Sequence, residues 1–284
     1  MPAIKELSLV VHTGEVYGFL GANGAGKSTT IRTIMGFLHP TSGTIKLLGR
    51  AASEKNIALH HEVGYLSGDV VLPKRVTGRK LLAYLGALSG GVDTAYLEQL
   101  AERFQAQLDK PTDELSKGNR QKIGIIQALM HQPKIIILDE PTSGLDPLMQ
   151  EQFYKTVEEA RARGAAVLLS SHSFDEVERI CDRIGIIQKG KLVYEGTVAQ
   201  IVADNAPRWR VTLKHLSDVK KLMAKPGIKI INATGPIVIV EPTKSIESAL
   251  GVLATFPIMS MTIYQRELEE EFMSFYGEKE GENS

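Results

Sequence analysis

A glycine-rich stretch, GANGAGKST at residues 21–29, constrains this chain more than any other part of its sequence. It follows EVYGFL at 15–20, which predicts a short strand, and precedes a segment of helical pattern that ends near HP at 39–40. The spacing fits G-x-x-x-x-G-K-[ST] from Gly21 to Ser28, between the strand and the helix that this motif requires. The stretch therefore predicts a site for the phosphates of a nucleoside triphosphate.

Each residue type in this loop has a physical role. Glycines at 24 and 26 let consecutive backbone N–H groups point at the β-phosphate, helped by the positive end of the helix dipole. Lys27 is predicted to reach the β- and γ-phosphates, Ser28 to offer its hydroxyl to Mg²⁺, and Thr29 to contact the α-phosphate. A glycine-rich turn without a ligand is the alternative, and the complete motif in its context argues against it. The predicted binding residues are Gly21, Asn23, Gly24, Ala25, Gly26, Lys27, Ser28 and Thr29.

The apolar run KIIILDE at 134–140 ends in two carboxylates and predicts a second buried strand. Ligands of parallel sheets bind at the carboxyl ends of the strands, which places these carboxylates beside the phosphate loop. Asp139 is predicted to hold Mg²⁺ through water, and Glu140 to orient or deprotonate the water that attacks the γ-phosphate. Away from a phosphate loop, an Asp-Glu pair that ends a strand is often only a solvated turn.

The order of the remaining segments indicates the fold class. Helical periodicity dominates about residues 66–132, and strand and helix signals then alternate as far as the hairpin predicted to turn at Lys189–Gly190. This order predicts an α/β fold, a P-loop NTPase core with a largely parallel sheet and a helical insertion. The insertion carries two apolar stripes expected in the core: Leu81, Leu82, Leu85 and Leu88, and Leu97, Leu100 and Phe104.

Helix-end signals follow the second strand. Asp146 is predicted to cap a helix that has Pro147 at its first position and Gly164 just past its end. SFDE at 173–176 reads as a capping box that opens the next helix.

The pattern changes near ADNAPRW at 203–209. Beyond it, short strand-like segments alternate with two helical ones, which predicts a small C-terminal α+β subdomain. We therefore expect a nucleotide-binding domain over residues 1–204 and a small accessory domain over residues 205–284.

Composition limits the partners. Lys plus Arg and Asp plus Glu both number 33, so the formal net charge of zero gives no reason to expect nucleic acid. The one cysteine, Cys181, excludes an internal disulfide framework. Apolar runs such as IIIL at 135–138 are far shorter than the ~20 residues of a membrane-spanning helix. The cytoplasm is the expected compartment.

Four motifs together resemble those of a known family. GANGAGKST, LSKGNRQK at 115–122, ILDEPTSGLDP at 137–147 and LLSSH at 168–172 occur in the order and spacing of the ATPase subunits of ABC transporters. The resemblance covers about residues 4–200. Within the family, the chain looks most like the ATP-binding subunits of bacterial drug and antibiotic exporters, which carry a small extra C-terminal domain.

The resemblance implies a nucleotide-dependent, head-to-tail pair, either a homodimer or a pairing with a related ATPase subunit. Each ATP would lie between one subunit's phosphate loop and the other's signature, here Leu115–Asn119. Ser116 and the N–H of Gly118 would bind the partner's γ-phosphate, with Lys117 and Asn119 nearby. Taken alone, Ser116 would be an N-cap and Lys117 a solvated side chain.

Two further residues match the family pattern. His172 matches the switch histidine that contacts the γ-phosphate, and Asp146 matches the acidic residue of a loop that contacts the other subunit. A structural role is the alternative for both, because lone histidines after strands are often structural and Asp146 also reads as an N-cap.

The chain also departs from the family pattern. It starts about twenty residues before the phosphate loop, so the usual aromatic residue that stacks on adenine is not found, and Tyr17 lies inside the predicted strand. Either the true start lies upstream or phosphate contacts dominate affinity. The family's Mg²⁺-linked glutamine should fall near GYLSGD, where this chain has Gly68 and Asp69. Asp69 is a candidate replacement oxygen ligand.

The function implied is ATP binding and hydrolysis that energises a separate membrane permease, for export of a drug, an antibiotic or another small molecule. Such a subunit would lie on the inner face of the cell membrane through its permease. A catalytically weak regulatory subunit of an asymmetric pair is the first alternative, and intact Glu140 and His172 argue against it. An ABC ATPase acting on ribosomes or DNA, or a P-loop kinase or GTPase, fits the motifs less well.

Overall fold

The computed structural model describes residues 4–52, 61–198, 200, 208–243 and 245–264. The chain divides into two compact units, Met1–Val198 and Ala199–Ser284. The boundary predicted after residue 204 lies outside the described residues. Within the described part, no helix is both long enough and apolar enough to span a bilayer.

The first unit is built on one six-stranded sheet. Its strands are β1 (Val16–Leu20), β4 (Val63–Leu66), β5 (Ile135–Asp139), β6 (Ala166–Ser171), β7 (Arg183–Gln188) and β8 (Lys191–Thr197). They are ordered β4-β5-β6-β1-β7-β8, and all pairs are parallel except β7 with β8. A separate small hairpin pairs β2 (Lys46–Leu47) with β3 (Arg50–Ala51).

Helices lie between these strands along the chain. They are α1 (Lys27–Ile34), α2 (Gly78–Leu88), α3 (Thr94–Arg103), α4 (Lys117–Leu129), α5 (Pro147–Ala162) and α6 (Phe174–Ile180), with a 3₁₀ turn at Thr112–Glu114. The helices α2, α3 and α4 fall between β4 and β5 and form the predicted insertion. The fold class expected from the sequence, an α/β core with a helical insertion, is confirmed.

Burial explains why the central strands read as continuous apolar runs. Every residue of β1 and β5 is buried, as expected for parallel strands covered on both faces. Because β5, β6 and β1 are neighbours and parallel, their carboxyl ends meet at one edge. That edge carries the acidic pair, His172 and the glycine loop.

The two apolar stripes of the insertion are largely buried. Leu97, Leu100 and Phe104 lie in the core, as do Leu81 and Leu82. Leu88, the last residue of α2, is 58% exposed, so the prediction that it packs in the core is wrong. The stripe ends there, because the chain leaves the helix at Ser89 and continues into the exposed Gly90 and Gly91.

The structure confirms the predicted ends of α5 and the predicted hairpin turn, but not the predicted capping box of α6. Asp146 Oδ1 accepts a 3.0 Å hydrogen bond from Met149 N, Pro147 is the first residue of α5, and Gly164 has a φ of 92°. The hairpin turns at Lys189 and Gly190, both at positive φ. The capping box at residues 173–176 is wrong, because the Ser173 side chain caps nothing.

The second unit is a separate four-stranded α+β fold. Its elements in order are β9 (Arg208–Leu213), α7 (Ser217–Met223), β10 (Ile228–Thr234), β11 (Ile237–Pro242), α8 (Ile246–Leu253) and β12 (Ile258–Tyr264). The antiparallel sheet is ordered β10-β11-β9-β12, which is the split βαβ arrangement. Trp209, Val211, Leu222 and Val238 lie in its own core. The predicted α+β character is confirmed.

Candidate nucleotide-binding site

The glycine loop joins β1 to α1 with backbone that favours glycine. Gly24 and Gly26 have φ values of 82° and 116°, in the region that side chains with a Cβ rarely adopt. Gly26 is the N-cap of α1 and supplies no side-chain cap, so the amides of the first turn face the loop's concavity. This arrangement can bind an anion through backbone N–H groups and the helix dipole.

Lys27 is the first residue of α1, and its ammonium group is buried at the loop. Nζ lies 2.5 Å from Gly21 O, 3.5 Å from Ala22 O and 3.2 Å from Glu140 Oε1. A buried lysine is stable when it is paired in this way. The structure thus brings the lysine of the glycine loop to the carboxylate that follows β5.

Glu140 occupies a strained position between two partners. Its φ is 49°, and a left-handed backbone costs a residue with a side chain roughly 1–2 kcal/mol. Its N–H donates to Ser170 O at 3.2 Å and to Ser170 Oγ at 3.1 Å. Oε2 lies 2.6 Å from His172 Nδ1, opposite the oxygen that faces Lys27. Such strain at a polar cluster is typical of a functional site.

Asp139 is buried at the end of β5. Its Oδ1 accepts a 2.5 Å hydrogen bond from Ser170 Oγ, its register partner on β6. Gly68 lies against the same carboxylate, because a Cβ added there would sit 3.2 Å from Asp139 Oδ2. Asp69 is exposed, and its backbone carbonyl accepts a 2.8 Å hydrogen bond from Ser67 Oγ.

The signature residues begin α4, and its first turn lies against the loop that follows Glu140. Ser116 Oγ accepts hydrogen bonds from Asn119 N at 3.2 Å and Asn119 Nδ2 at 3.3 Å, so Ser116 is the N-cap. Ser116 and Lys117 are both exposed. Lys117 Nζ lies 3.5 Å from Ser143 Oγ, in the loop that leads to Asp146.

A second buried carboxylate lies behind His172. Glu176 is 4% exposed, and its Oε2 accepts a 2.6 Å hydrogen bond from Ser171 Oγ, which in turn accepts from Ser173 N at 2.9 Å. These bonds replace the expected capping box, because the Ser171 hydroxyl at the end of β6 bonds both the Glu176 carboxylate and the Ser173 N–H. Burial raises the pKa of Glu176, the Ser171 hydrogen bond lowers it, and the negative charge of Glu140 raises it.

Comparison with known proteins decides the family. A family model described as ABC transporter matches residues 4–143. An uncharacterized ABC transporter ATP-binding protein of Bacillus subtilis (strain 168), YhaQ, is 37% identical over 231 residues, which are 80% of this chain and 76% of the relative. The chain belongs to the ATP-binding subunits of ABC transporters.

Further comparisons agree with this family. The Nod factor export ATP-binding protein I of Burkholderia lata is 34% identical and is matched over 68% of this chain and 65% of its own length. A solved ATP binding subunit of an ABC transporter is 32% identical, with a TM-score of 0.66 over 71% of this chain and 86% of the other. ABC subunits of this kind bind and hydrolyse ATP, so the predictions of a P-loop NTPase core, an ATPase and ATP as the ligand are confirmed.

The predicted site residues of this ABC subunit form two groups. Lys27, Glu140 and His172 are in contact, and Asp139 is joined to them through Ser170. Ser116 to Asn119 form the second group at the start of α4. Tyr17 is fully buried, and its hydroxyl donates to Glu195 Oε1 at 3.1 Å, so it offers no face to a base.

Sequence reasoning missed three polar residues that organise this ABC site: Gln121, Ser170 and Glu176. All three are buried. Gln121 and Ser170 interrupt apolar patterns, on α4 and β6, and a polar residue at a position that the pattern assigns to the core is the signal that could have found them.

Proposed function

We propose that this ABC subunit binds Mg²⁺-ATP, pairs head to tail with a second cassette, hydrolyses the nucleotide and thereby drives a separate membrane permease. The observation that carries the proposal is the contact of Glu140 with both Lys27 and His172. A lysine from the phosphate loop, a carboxylate and a histidine meet where a terminal phosphate would lie. The same contacts argue against a catalytically weak regulatory subunit.

The loop residues Gly21 to Thr29 bind the phosphates in this proposal. The backbone N–H groups of Asn23, Gly24 and Gly26 surround the β-phosphate, Lys27 neutralises the β- and γ-oxygens, and Thr29 contacts the α-phosphate. Ala25 lines the loop, and its N–H donates to Ala22 O at 3.1 Å. Because Lys27 already lies at the loop carbonyls, its ammonium group has only a short distance to travel to a phosphate.

Ser28 and Asp139 are the residues of this chain that would hold Mg²⁺. Hydroxyl and carboxylate oxygens suit this ion, which usually keeps waters and phosphate oxygens as its other ligands. Among the described residues no group of three or more His, Cys, Asp or Glu side chains could hold a metal ion alone. The ion would neutralise charge on the β- and γ-phosphates.

Glu140 is the proposed general base, and His172 holds it. A carboxylate with one oxygen on Lys27 and the other on His172 is fixed in orientation, which is what accepting a proton from an attacking water requires. When Lys27 pairs with the γ-phosphate instead of Glu140, Oε1 of Glu140 is free to face the water. His172, which is exposed, is placed to contact the γ-phosphate as well.

Pairing with a second cassette completes the site in this account. Ser116, Lys117, Gly118 and Asn119 would meet the partner's γ-phosphate, and Asp146 would lie at the contact between subunits. Support comes from their position, since Ser116 and Lys117 are exposed at the N-terminus of α4, where anions bind favourably, and Asp146 is exposed at the N-terminus of α5.

Export of a drug, an antibiotic or another small molecule is the proposed transport direction. The likeness to a Nod factor export protein supports it. The subunit would then lie on the inner face of the cell membrane through its permease, and the small second unit would be an accessory domain.

Turnover measured against protein concentration tests this function without any variant. A site completed by a second subunit predicts that Mg²⁺-ATP hydrolysis per chain rises with concentration and then levels off. Hydrolysis per chain that is constant over that range would show a site complete in one chain. ATP binding without turnover would favour the regulatory alternative.

A further inference from the structure

The start of α4 is bonded to the catalytic loop of its own subunit through Gln121. This side chain is 2% exposed, one turn after the signature. Its Nε2 donates to Pro141 O at 2.8 Å and approaches Glu140 O at 3.4 Å. One buried amide group therefore joins the signature helix to the backbone carbonyls of the proposed base, Glu140, and of the next residue, Pro141.

Two more contacts join the same pair of segments. Gly118 lies so close to the loop that an added Cβ would meet Gly144 O at 2.8 Å. Lys117 runs along Gly144, and its Nζ lies 3.5 Å from Ser143 Oγ. The first turn of α4 and residues 140–144 thus touch at three successive points.

Gln121 is the only one of these three contacts that reaches Glu140 itself. Glu140 keeps a positive φ, and a strained backbone persists when its surroundings hold it. Ser170 holds the N–H of Glu140 from β6, while Gln121 holds its carbonyl from α4. Because the amide is buried, losing it would leave polar groups unpaired, so the tie is hard to break.

We propose that Gln121, on the helix that begins at the signature, is a positioning residue. It fixes the position of Glu140 and thereby couples the two ATP sites of the dimer. This rests on the proposed function, in which the signature meets the partner's nucleotide and Glu140 serves its own. A displacement of α4 by the partner's γ-phosphate would reach Glu140 most directly through this side chain, because the contacts of Lys117 and Gly118 end on Ser143 and Gly144. Hydrolysis in one site therefore depends on occupancy of the other.

Gln121→Met tests the proposal, since methionine keeps the length and apolar reach of the side chain but has no N–H donor. We expect kcat to fall about tenfold or more, while KM for ATP and the ATP-dependent dimer stay unchanged. Gln150→Met is the matched control: Gln150 Nε2 approaches Leu145 O, in the same loop, at 3.4 Å but from α5. Its kcat should remain near that of the unaltered protein.

Mixed dimers separate positioning from general damage. If Glu140→Gln silences one subunit, that subunit still binds ATP and only the other subunit's Glu140 works. Gln121→Met should impair turnover when placed in the working subunit and leave it nearly intact when placed in the silent one. Impairment only from the silent subunit would overturn the proposal, because Gln121 would then shape the signature. A kcat within twofold of unaltered protein in both arrangements would also overturn it.

These outcomes are distinct from failure of the proposed function. That function fails if the unaltered protein neither dimerises with ATP nor hydrolyses it. The inference alone fails if unaltered protein does both and Gln121→Met behaves as Gln150→Met does.

Discussion

The hydroxyl of Ser170 donates a 2.5 Å hydrogen bond to Asp139 Oδ1, across the register that pairs these two residues on β6 and β5. The hydroxyl oxygen of Ser170 also accepts a 3.1 Å hydrogen bond from Glu140 N. One buried hydroxyl thus orients both the proposed magnesium ligand and the proposed base.

Ser170→Ala should therefore weaken the use of Mg²⁺ without unfolding the protein. Removing a group that orients a metal ligand commonly costs roughly 10- to 100-fold in metal affinity or activity. We expect the Mg²⁺ concentration for half-maximal ATP turnover to rise, as measured by titrating Mg²⁺ at constant free ATP. Ser173→Ala, on the far side of His172, is the control, and an equal rise in that variant would refute the role of Ser170.

His172→Ala should lower kcat with little change in ATP affinity. In the unaltered protein, the 2.6 Å contact with His172 Nδ1 fixes Glu140 Oε2. Without it, the carboxylate of Glu140 is still present but is no longer held in one orientation. Single-turnover hydrolysis and equilibrium nucleotide binding measure the two effects separately. His131→Ala is a suitable control, because His131 Nε2 contacts Val63 O far from the base. Unaltered single-turnover rates in His172→Ala would count against the proposed contact.

Glu176 should make stability depend on pH in a recognisable direction. Burial raises its folded pKa above the ordinary value of 4.5, so the folded protein binds this proton more tightly than the unfolded chain. Its contribution to the free energy of unfolding is therefore most favourable at pH below 4.5 and declines as pH rises through the folded pKa.

Glu176→Gln removes that decline while keeping an oxygen that can accept from Ser171. The difference in Tm between the variant and the unaltered protein should shift in the variant's favour as pH rises from about 4 to 7. Thermal melts across that range measure it. A difference that is constant with pH would show that Glu176 has an ordinary pKa in the folded protein.

The sequence predicted those features whose chemistry lies in consecutive residues. The glycine loop, the Asp146 cap and the turn at Lys189–Gly190 each need particular residue types at fixed spacing, and all three formed as expected. The capping box failed because Ser171, outside the four-residue motif, bonds both Ser173 and Glu176. Local pattern cannot register a competitor from the preceding strand.

The hydrogen bonds between segments that are distant in the chain could not be predicted from the sequence. Ser170 and Asp139 are 31 residues apart, and Gln121 and Pro141 are 20 apart. Only the parallel register of β5 with β6, and the packing of α4 against the loop after β5, bring them together. A buried polar residue signals that a partner exists, but only tertiary structure identifies that partner.

Lys27→Ala should reduce ATP affinity, because it removes the ammonium group that lies at the loop carbonyls of Gly21 and Ala22, where the phosphates would bind. Isothermal titration with ATP measures the loss. Lys117→Ala is the informative comparison: it should leave the affinity of a single chain unchanged and weaken only the ATP-dependent dimer. If instead Lys117→Ala lowers single-chain affinity, Lys117 serves its own subunit's nucleotide.

Size-exclusion chromatography of Glu140→Gln, with and without Mg²⁺-ATP, tests the central claim most directly. This change keeps the shape of the side chain but removes the base, so bound ATP should persist and hold a dimer that separates into monomers without nucleotide. Adding Ser116→Glu should abolish that dimer, because a carboxylate would face the partner's γ-phosphate. Ser116→Ala loses the same N-cap, at roughly 1 kcal/mol of stability, and the same hydroxyl but adds no charge, so it controls for damage to α4 and should weaken the dimer less than Ser116→Glu. Failure of Glu140→Gln to dimerise with ATP, or dimers that persist with Ser116→Glu, would contradict the account.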